Sequence, residues 1–469
     1  MGQQRDYDVV VVGAGGAGLA AAVVAHDAGA SVLLIESESQ VGGSTRLSGG
    51  VFYAAGTSVQ RAAGVDGDTP SAMYEYYMTL NQWRVEPALV HRLCDEAAPA
   101  LEWLISLGVE FSPEALYVSG VESVARGHSA TGMGASIAAA LEQARRLRSI
   151  DLALNTRVER LLVEDRHVVG VRACGQDVRS GAVIISTGGF GQNPDMLERY
   201  YPEATAAGDW TWSISAPGAR GDGIVLGQGV EAAIVGYNRG LLLTTPGFHK
   251  QLEVYVPGWL VYVNREGRRF VNETAAYAVM AGVIKEQGGV AFAVFDEASR
   301  AQAEPDPIYA DAFSAGALPL NWVNTVLEDM ANEGRIIRAD TLEEVAVRAG
   351  INPRALNATI EHYNADVVRG TDSAFHKDAK VLRPIDKPPF YAVEVRPAIV
   401  CLTSTGLRID SDCHVMSTAE RVIPGLYAAG ETTGGVLGDR YIGGGNSIAN
   451  AIVFGRIAGT AAAAEALAR

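Results

Sequence analysis

Tyr7-Asp8-Val9-Val10-Val11-Val12-Gly13-Ala14-Gly15-Gly16-Ala17-Gly18 is the stretch on which the reading of this 469-residue chain turns. The apolar run ends on a glycine turn, an Ala-rich run follows to His26, and Ala30-Ser31-Val32-Leu33-Leu34-Ile35 then ends on Glu36. The order is strand, glycine turn, helix, strand, acid, and each part has a task in holding a dinucleotide. Gly13 permits the tight turn, Gly15 lets the backbone approach a pyrophosphate, and Gly18 lets helix and strand pack closely. Gly16 and Ala17 lie at a helix N-terminus whose N–H groups and dipole favour phosphate. Glu36, 18 residues past Gly18 and followed by Ser37, falls where a carboxylate accepts ribose hydroxyls.

The next residues separate one kind of dinucleotide from another. After Glu36 the run SESQVGGSTRLSGG brings Gly42, Gly43, Ser44 and Thr45, then Ser48, Gly49 and Gly50, beside the same pyrophosphate and towards the ring it carries. Nicotinamide enzymes do not usually need this second small-residue loop. Here the sequence resembles the flavoprotein family of succinate dehydrogenase, fumarate reductase and 3-ketosteroid dehydrogenase, in which FAD is held by these segments. The resemblance covers almost the whole chain and implies FAD as cofactor. It also implies that Val158 borders adenine, that Thr187, Gly188 and Gly189 pass the FAD, and that Asp222 opens a helix near it. Glu431, after Gly430, becomes a ribityl contact. Asn446, Ser447 and Ile448 start a helix whose dipole points at the flavin pyrimidine and stabilises the reduced ring.

The implied fold is α/β: a discontinuous Rossmann-type FAD-binding domain of residues 1–235 and 391–469, with an inserted α+β substrate or capping domain at 236–390. The length suits two domains and a sizeable buried cofactor. Residues 70–108 and 137–147 read as helices, 151–172 as two strands around a turn, and 179–187 as an apolar strand. A helix at 341–349 is capped by Thr341, with Glu344 in the box position.

A net charge of −16 argues against nucleic acid and anionic membrane surfaces as partners. No window of 18 uninterrupted apolar residues occurs, so no membrane span is expected, and the N-terminus lacks a signal layout. The four cysteines, Cys94, Cys174, Cys401 and Cys413, have no metal-ligand spacing, so no metal is expected and a cytoplasmic location follows. Without CxxCH there is no covalent haem, and electrons must pass to an external acceptor.

Three positions bear on the substrate. Where fumarate reductases carry a proton-shuttling arginine after GxRFVNE, the run Gly267 to Tyr277 places Tyr277, and ketosteroid dehydrogenases use a tyrosine in this segment as base. Where fumarate reductases present a carboxylate-binding histidine, Leu402-Thr403-Ser404-Thr405-Gly406 has hydroxyls. Their arginine just before GGNA is replaced by Ile442, with Arg440 two residues earlier. Tyr441 and Gly445 have the spacing at which ketosteroid 1-dehydrogenases polarise a ketone oxygen with a phenol and a backbone N–H. Tyr117 is a candidate to assist Tyr277. The expected activity is desaturation of a small-molecule cyclic ketone, of 3-ketosteroid or cyclohexanone type, with Tyr277 taking the α proton and flavin N5 the β hydride. A soluble enone or fumarate-like reductase fed by an external donor remains open, as does a non-redox isomerase or hydratase. The sequence leaves ring position, electron acceptor and oligomeric state unspecified.

Overall fold

Val9–Val12 and Ala182–Ile185 are β-branched or small and at most 4% exposed, the pattern of adjacent strands covered on both faces, where polar alternation has no place. A computed structural model describes residues 5–250, 256–305, 314 and 320–469 of this chain. It divides into two compact units, Met1–Glu203, Ser215–Leu241 and Cys401–Arg469 in the first and Ala204–Ile214 and Leu242–Val400 in the second.

In the first unit Tyr7–Val12 runs parallel to Val32–Ile35 on one side and to Gln176–Ile185 on the other. Asp151–Ala153 extends the sheet past Val32–Ile35, and Val422–Ala428, parallel to Gln176–Ile185, extends it the other way to His414–Met416. Val158–Glu164 and His167–Ala173 form an antiparallel meander against Gln176–Ile185. The helix Gly16–Asp27 makes the crossover that parallel strands require. Against it lies the long helix Asn446–Leu467. Gly455 and Gly459, one turn apart, face it so closely that a Cβ at either would overlap the backbone of Ala17 or Ala21. Asn446–Leu467 is long and apolar enough to cross a membrane, but 67% of its apolar window is buried inside the unit, so its hydropathy is that of a core helix.

Residues 70–108 form two helices rather than one, Pro70–Leu80 and Pro87–Ser106. Gln82 and Trp83 adopt left-handed conformations between them, and each helix begins on a proline, where a missing N–H costs nothing. The polar stretch that follows is also more regular than its composition indicates. Phe111–Tyr117, Gly127–Ala130 and Val51–Tyr53 make a three-stranded antiparallel sheet. Behind it Arg126 and Asp68 form a buried ion pair at 2.7 Å.

The second unit is built on a six-stranded sheet in which Ala291–Asp296 pairs with Val261–Val263 and with Phe390–Thr403. Ala291, Ala293 and Phe295 face one apolar cluster with Trp259, Tyr262 and Trp322. Phe292 and Val294 face another with Leu356, Ile360 and Tyr363. The period of two thus separates two cores across one strand. The helix Leu342–Ala349 starts as read from the sequence, with Thr341 Oγ1 accepting the Glu344 N–H at 3.2 Å.

Candidate functional site

The turn after Tyr7–Val12 is fixed by packing at two of its glycines and open at the third. Gly13 has φ +100°, and a Cβ there would strike the backbone of Ser186; a Cβ at Gly18 would overlap the Gly13 carbonyl. A Cβ at Gly15 would meet nothing within 4 Å. Gly15 is also the N-cap of Gly16–Asp27, with no side-chain cap and no acid in the first turn, so the first N–H groups are left for an anion. Gly42 bridges to Gly15, which brings Gly42–Thr45 to the same place, and Thr45 lies against Gly16. Glu36 is 8% exposed and accepts the Ala14 N–H at 2.7 Å and the Glu38 N–H at 2.9 Å, while Ser37 Oγ donates to it at 3.1 Å. That carboxylate locks the loop.

Ser48 Oγ donates to the Thr45 carbonyl and accepts the Gly50 N–H, tying the second loop together. Gly50 packs on the Met133–Gly134 backbone, whereas Gly49 and Gly188 face open space. Val158 is buried at the start of its strand. Asp222 pairs with Arg157 at 2.7 Å; burial raises its pKa against that partner's charge. Arg157 belongs to this group and was not singled out from the sequence, although it stands next to Val158.

Towards the other end, Glu431 accepts from the Thr403 N–H at 2.9 Å and Thr403 Oγ1 at 3.1 Å. Burial raises its pKa, and the Thr403 bonds oppose that rise. Gly189 abuts this pair, Thr187 Oγ1 lies 3.4 Å from Thr432 Oγ1, and Gly430 approaches Ala17. Thr403 was visible in the sequence only as a hydroxyl replacing a histidine; its role as the holder of Glu431 emerges from the fold.

The helix Asn446–Leu467 starts at Gly445, φ +101°, a residue pressed so closely against Phe52 and Tyr53 that a side chain has no room. Asn446 Nδ2 donates to the Tyr77 hydroxyl at 2.9 Å, and its Oδ1 is buried without a protein donor. Ile448 is also buried. The phenol oxygen of Tyr441 accepts the Ser447 N–H at 3.1 Å and lies 3.0 Å from Ser447 Oγ. Burial pushes the Tyr441 pKa up to about 12, Ser447 opposes this, and Cys401 and Tyr117 add to the rise. Tyr117, 41% exposed, therefore lies near Tyr441 at the end of Phe111–Tyr117.

In the second unit Tyr277 is the first residue of the helix Tyr277–Glu286 and is 43% exposed. The GRRFVNE run before it is anchored by a buried ion network. Arg269 bonds both Glu273 and Asp372, and Lys377 Nζ reaches Glu273 at 2.8 Å. Arg269 also lies over the rings of Tyr363 and Phe375. Asp372 and Lys377 come from about a hundred residues downstream, and no local signal points to them.

The first unit fits an FAD-type dinucleotide on observations of its own: an uncapped helix N-terminus, glycines with open faces beside it, and a buried acceptor at Asn446 awaiting a donor. Among the described residues no cluster of His, Cys, Asp or Glu could hold a metal. Comparison with known proteins agrees. The FAD binding domain pattern matches residues 8–448. The chain is 34% identical to the fumarate reductase (cytochrome) of Shewanella frigidimarina over 97% of its own length and 77% of that protein's. It is 25% identical to the 3-oxosteroid 1-dehydrogenase of Mycobacterium tuberculosis, covering 97% of this chain and 98% of that one. Among solved structures, 3-ketosteroid-Δ4-(5α)-dehydrogenase from Rhodococcus jostii RHA1 superposes with a TM-score of 0.79 at 27% identity, covering 98% of both chains. The chain belongs to the FAD binding domain family and is an FAD-dependent oxidoreductase acting on CH–CH groups, among the fumarate reductase and ketosteroid dehydrogenase flavoproteins.

Proposed function

We propose that the protein desaturates a cyclic ketone, of 3-ketosteroid or cyclohexanone type, forming a C=C bond conjugated with the carbonyl. The observation that carries this reading is the placement of the Tyr441 phenol on the start of Asn446–Leu467, close in sequence to the Gly445 N–H. A phenol and a backbone N–H suit one neutral carbonyl oxygen. Thr403, Ser404 and Thr405 offer neutral hydroxyls where a dicarboxylate would call for a cationic side chain. Bound FAD supplies the hydride-accepting chemistry. Tyr441 and the Gly445 N–H hold and polarise the carbonyl oxygen, which acidifies the neighbouring C–H. Tyr277 takes the α proton, with Tyr117 assisting the phenolic chemistry. The electrons leave to an external acceptor.

A second reading is favoured by the 34% identity to fumarate reductases and by Arg440, whose N–H is held by Asn81 Oδ1 at 3.3 Å beside Tyr441. In it the protein reduces an enone or a fumarate-like acid with an external donor. Anaerobic mixing with cyclic ketones and, separately, with fumarate plus reduced viologen distinguishes the two. Bleaching of the flavin by a ketone supports desaturation. Turnover of fumarate with no bleaching by any ketone overturns it. Tyr441→Phe is expected to lower kcat by roughly 10²–10³, the usual loss for one oxyanion-hole donor, while FAD stays bound.

A further inference from the structure

Residues 13–50 contain both glycine loops of the first unit and, apart from His26, a single basic side chain, Arg46. Arg46 lies in the short helix Gly43–Leu47. Its stem runs over Gly42, where a Cβ would come within 2.9 Å of Arg46 Cβ and 3.4 Å of Arg46 Cδ. Other arginines of this unit have carboxylate partners: Arg145 and Arg146 pair with Glu142, Arg148 with Asp27 and Arg157 with Asp222. Arg46 has none. It is half-buried, its guanidinium makes no hydrogen bond or ion pair among the described residues, and its Nε is buried without an acceptor.

Two helix starts meet the same loop. Gly42 bridges to Gly15, the N-cap of Gly16–Asp27. A Cβ at Gly134 would fall 1.9 Å from the Thr45 carbonyl oxygen, so the first turn of Met133–Leu147 rests on the other side. That helix begins at Gly132, φ +81°, and like the first it has no side-chain cap and no acid in its first turn. The carboxylate of Glu36 is taken up by the Ala14 and Glu38 N–H groups. Two positive helix ends and a guanidinium without a partner thus gather at Gly42–Ser48 in a chain of net charge −16, and that concentration of positive charge calls for an anion.

We propose that Arg46 is a cofactor-binding residue whose charge meets the pyrophosphate of FAD. The turn at Gly15 and the start of Gly16–Asp27 supply N–H donors, which carry only partial charge. Arg46 adds the one full positive charge of the two loops, and its planar fork matches phosphate oxygens. The assignment rests on FAD binding alone and stands whichever substrate the site takes.

The test uses the full chain stripped of FAD, as wild type, Arg46→Gln and Arg46→Lys. The Kd for FAD is read from flavin fluorescence between about 50 and 500 mM NaCl, a range over which exposed charges become screened. Denaturant unfolding of each apoprotein runs alongside. Arg46→Gln is expected to raise the Kd about tenfold, the scale of one charge-assisted contact, and to make log Kd climb less with salt than in wild type. Its apoprotein should unfold at the wild-type midpoint, because no protein group loses a polar partner. Arg46→Lys keeps the charge without the fork, so it should restore the salt slope and recover only part of the affinity. An unchanged Kd in Arg46→Gln overturns the assignment. A raised Kd with the wild-type salt slope, or one matched by an equal loss of apoprotein stability, also overturns it and makes Arg46 a brace for Gly42.

Discussion

A methyl group added at Gly15 and one added at Gly18 meet different fates. At Gly18 the Cβ lands on the Gly13 carbonyl, so Gly18→Val forces strand and helix apart, with an overpacking cost of about 1–3 kcal/mol or more. At Gly15 the backbone is extended (φ −74°, ψ −172°) and the Cβ points into space. Gly15→Ala should change the unfolding free energy by no more than about 0.5 kcal/mol. FAD affinity should nevertheless drop about tenfold or more, because the methyl occupies the approach to the pyrophosphate. Denaturant unfolding of the apoprotein and titration with FAD read the two effects separately. Both glycines are legible from the motif because their duties are local. The duty of Glu36 towards the Ala14 N–H is not, since the same carboxylate satisfies the ribose pattern and the loop at once.

Helices and strands carry the less legible part of the site. Arg269 and Glu273 are four apart and suggest an ion pair, but their buried partners Asp372 and Lys377 are contributed by a segment that only the fold brings near. Lys377→Met leaves the Glu273 carboxylate short of a partner at 0% side-chain exposure and should destabilise the second unit by about 3–5 kcal/mol, seen as a lowered calorimetric transition. Burial pushes the Asp372 carboxyl up, yet the Arg269 bonds and charge outweigh it and hold the pKa at about 2. A depressed carboxyl contributes stability that is complete above the unfolded value, near 3.9, and is lost as pH falls to the folded one. Acid unfolding of this unit should therefore steepen between about pH 4 and pH 2, and Asp372→Asn should flatten that part of the profile. The helical reading of 70–108 failed at its middle for a similar reason. Left-handed Gln82 and Trp83 let the chain double back, and the gain is tertiary: Tyr77 OH reaches the Val436 carbonyl and Asn446 Nδ2 reaches Tyr77.

At the scale of the whole molecule, the first unit is assembled from three stretches of chain, and its sheet sets strands far apart in sequence side by side: Val32–Ile35, Tyr7–Val12, Gln176–Ile185, Val422–Ala428. The run of small residues in Asn446–Leu467 foretold close packing but not its partner. Gly459→Leu, placed against the Ala21 backbone, should destabilise this unit by several kcal/mol and release FAD, while a leucine at the exposed Thr460 should do neither. Flavin fluorescence during heating checks both. The glycine seam between the first helix and the last also dictates an order of events in the cell. Residues 7–36 emerge early from the ribosome, but the surface that clasps Ala17 and Ala21 emerges only with residues 455–459. Until then a bare alanine face stands waiting, so holoenzyme formation must wait for residues 455–459. Arg5 Nη1, bonding the Ala466 carbonyl at 2.8 Å, ties the segment before the first strand to the same late helix.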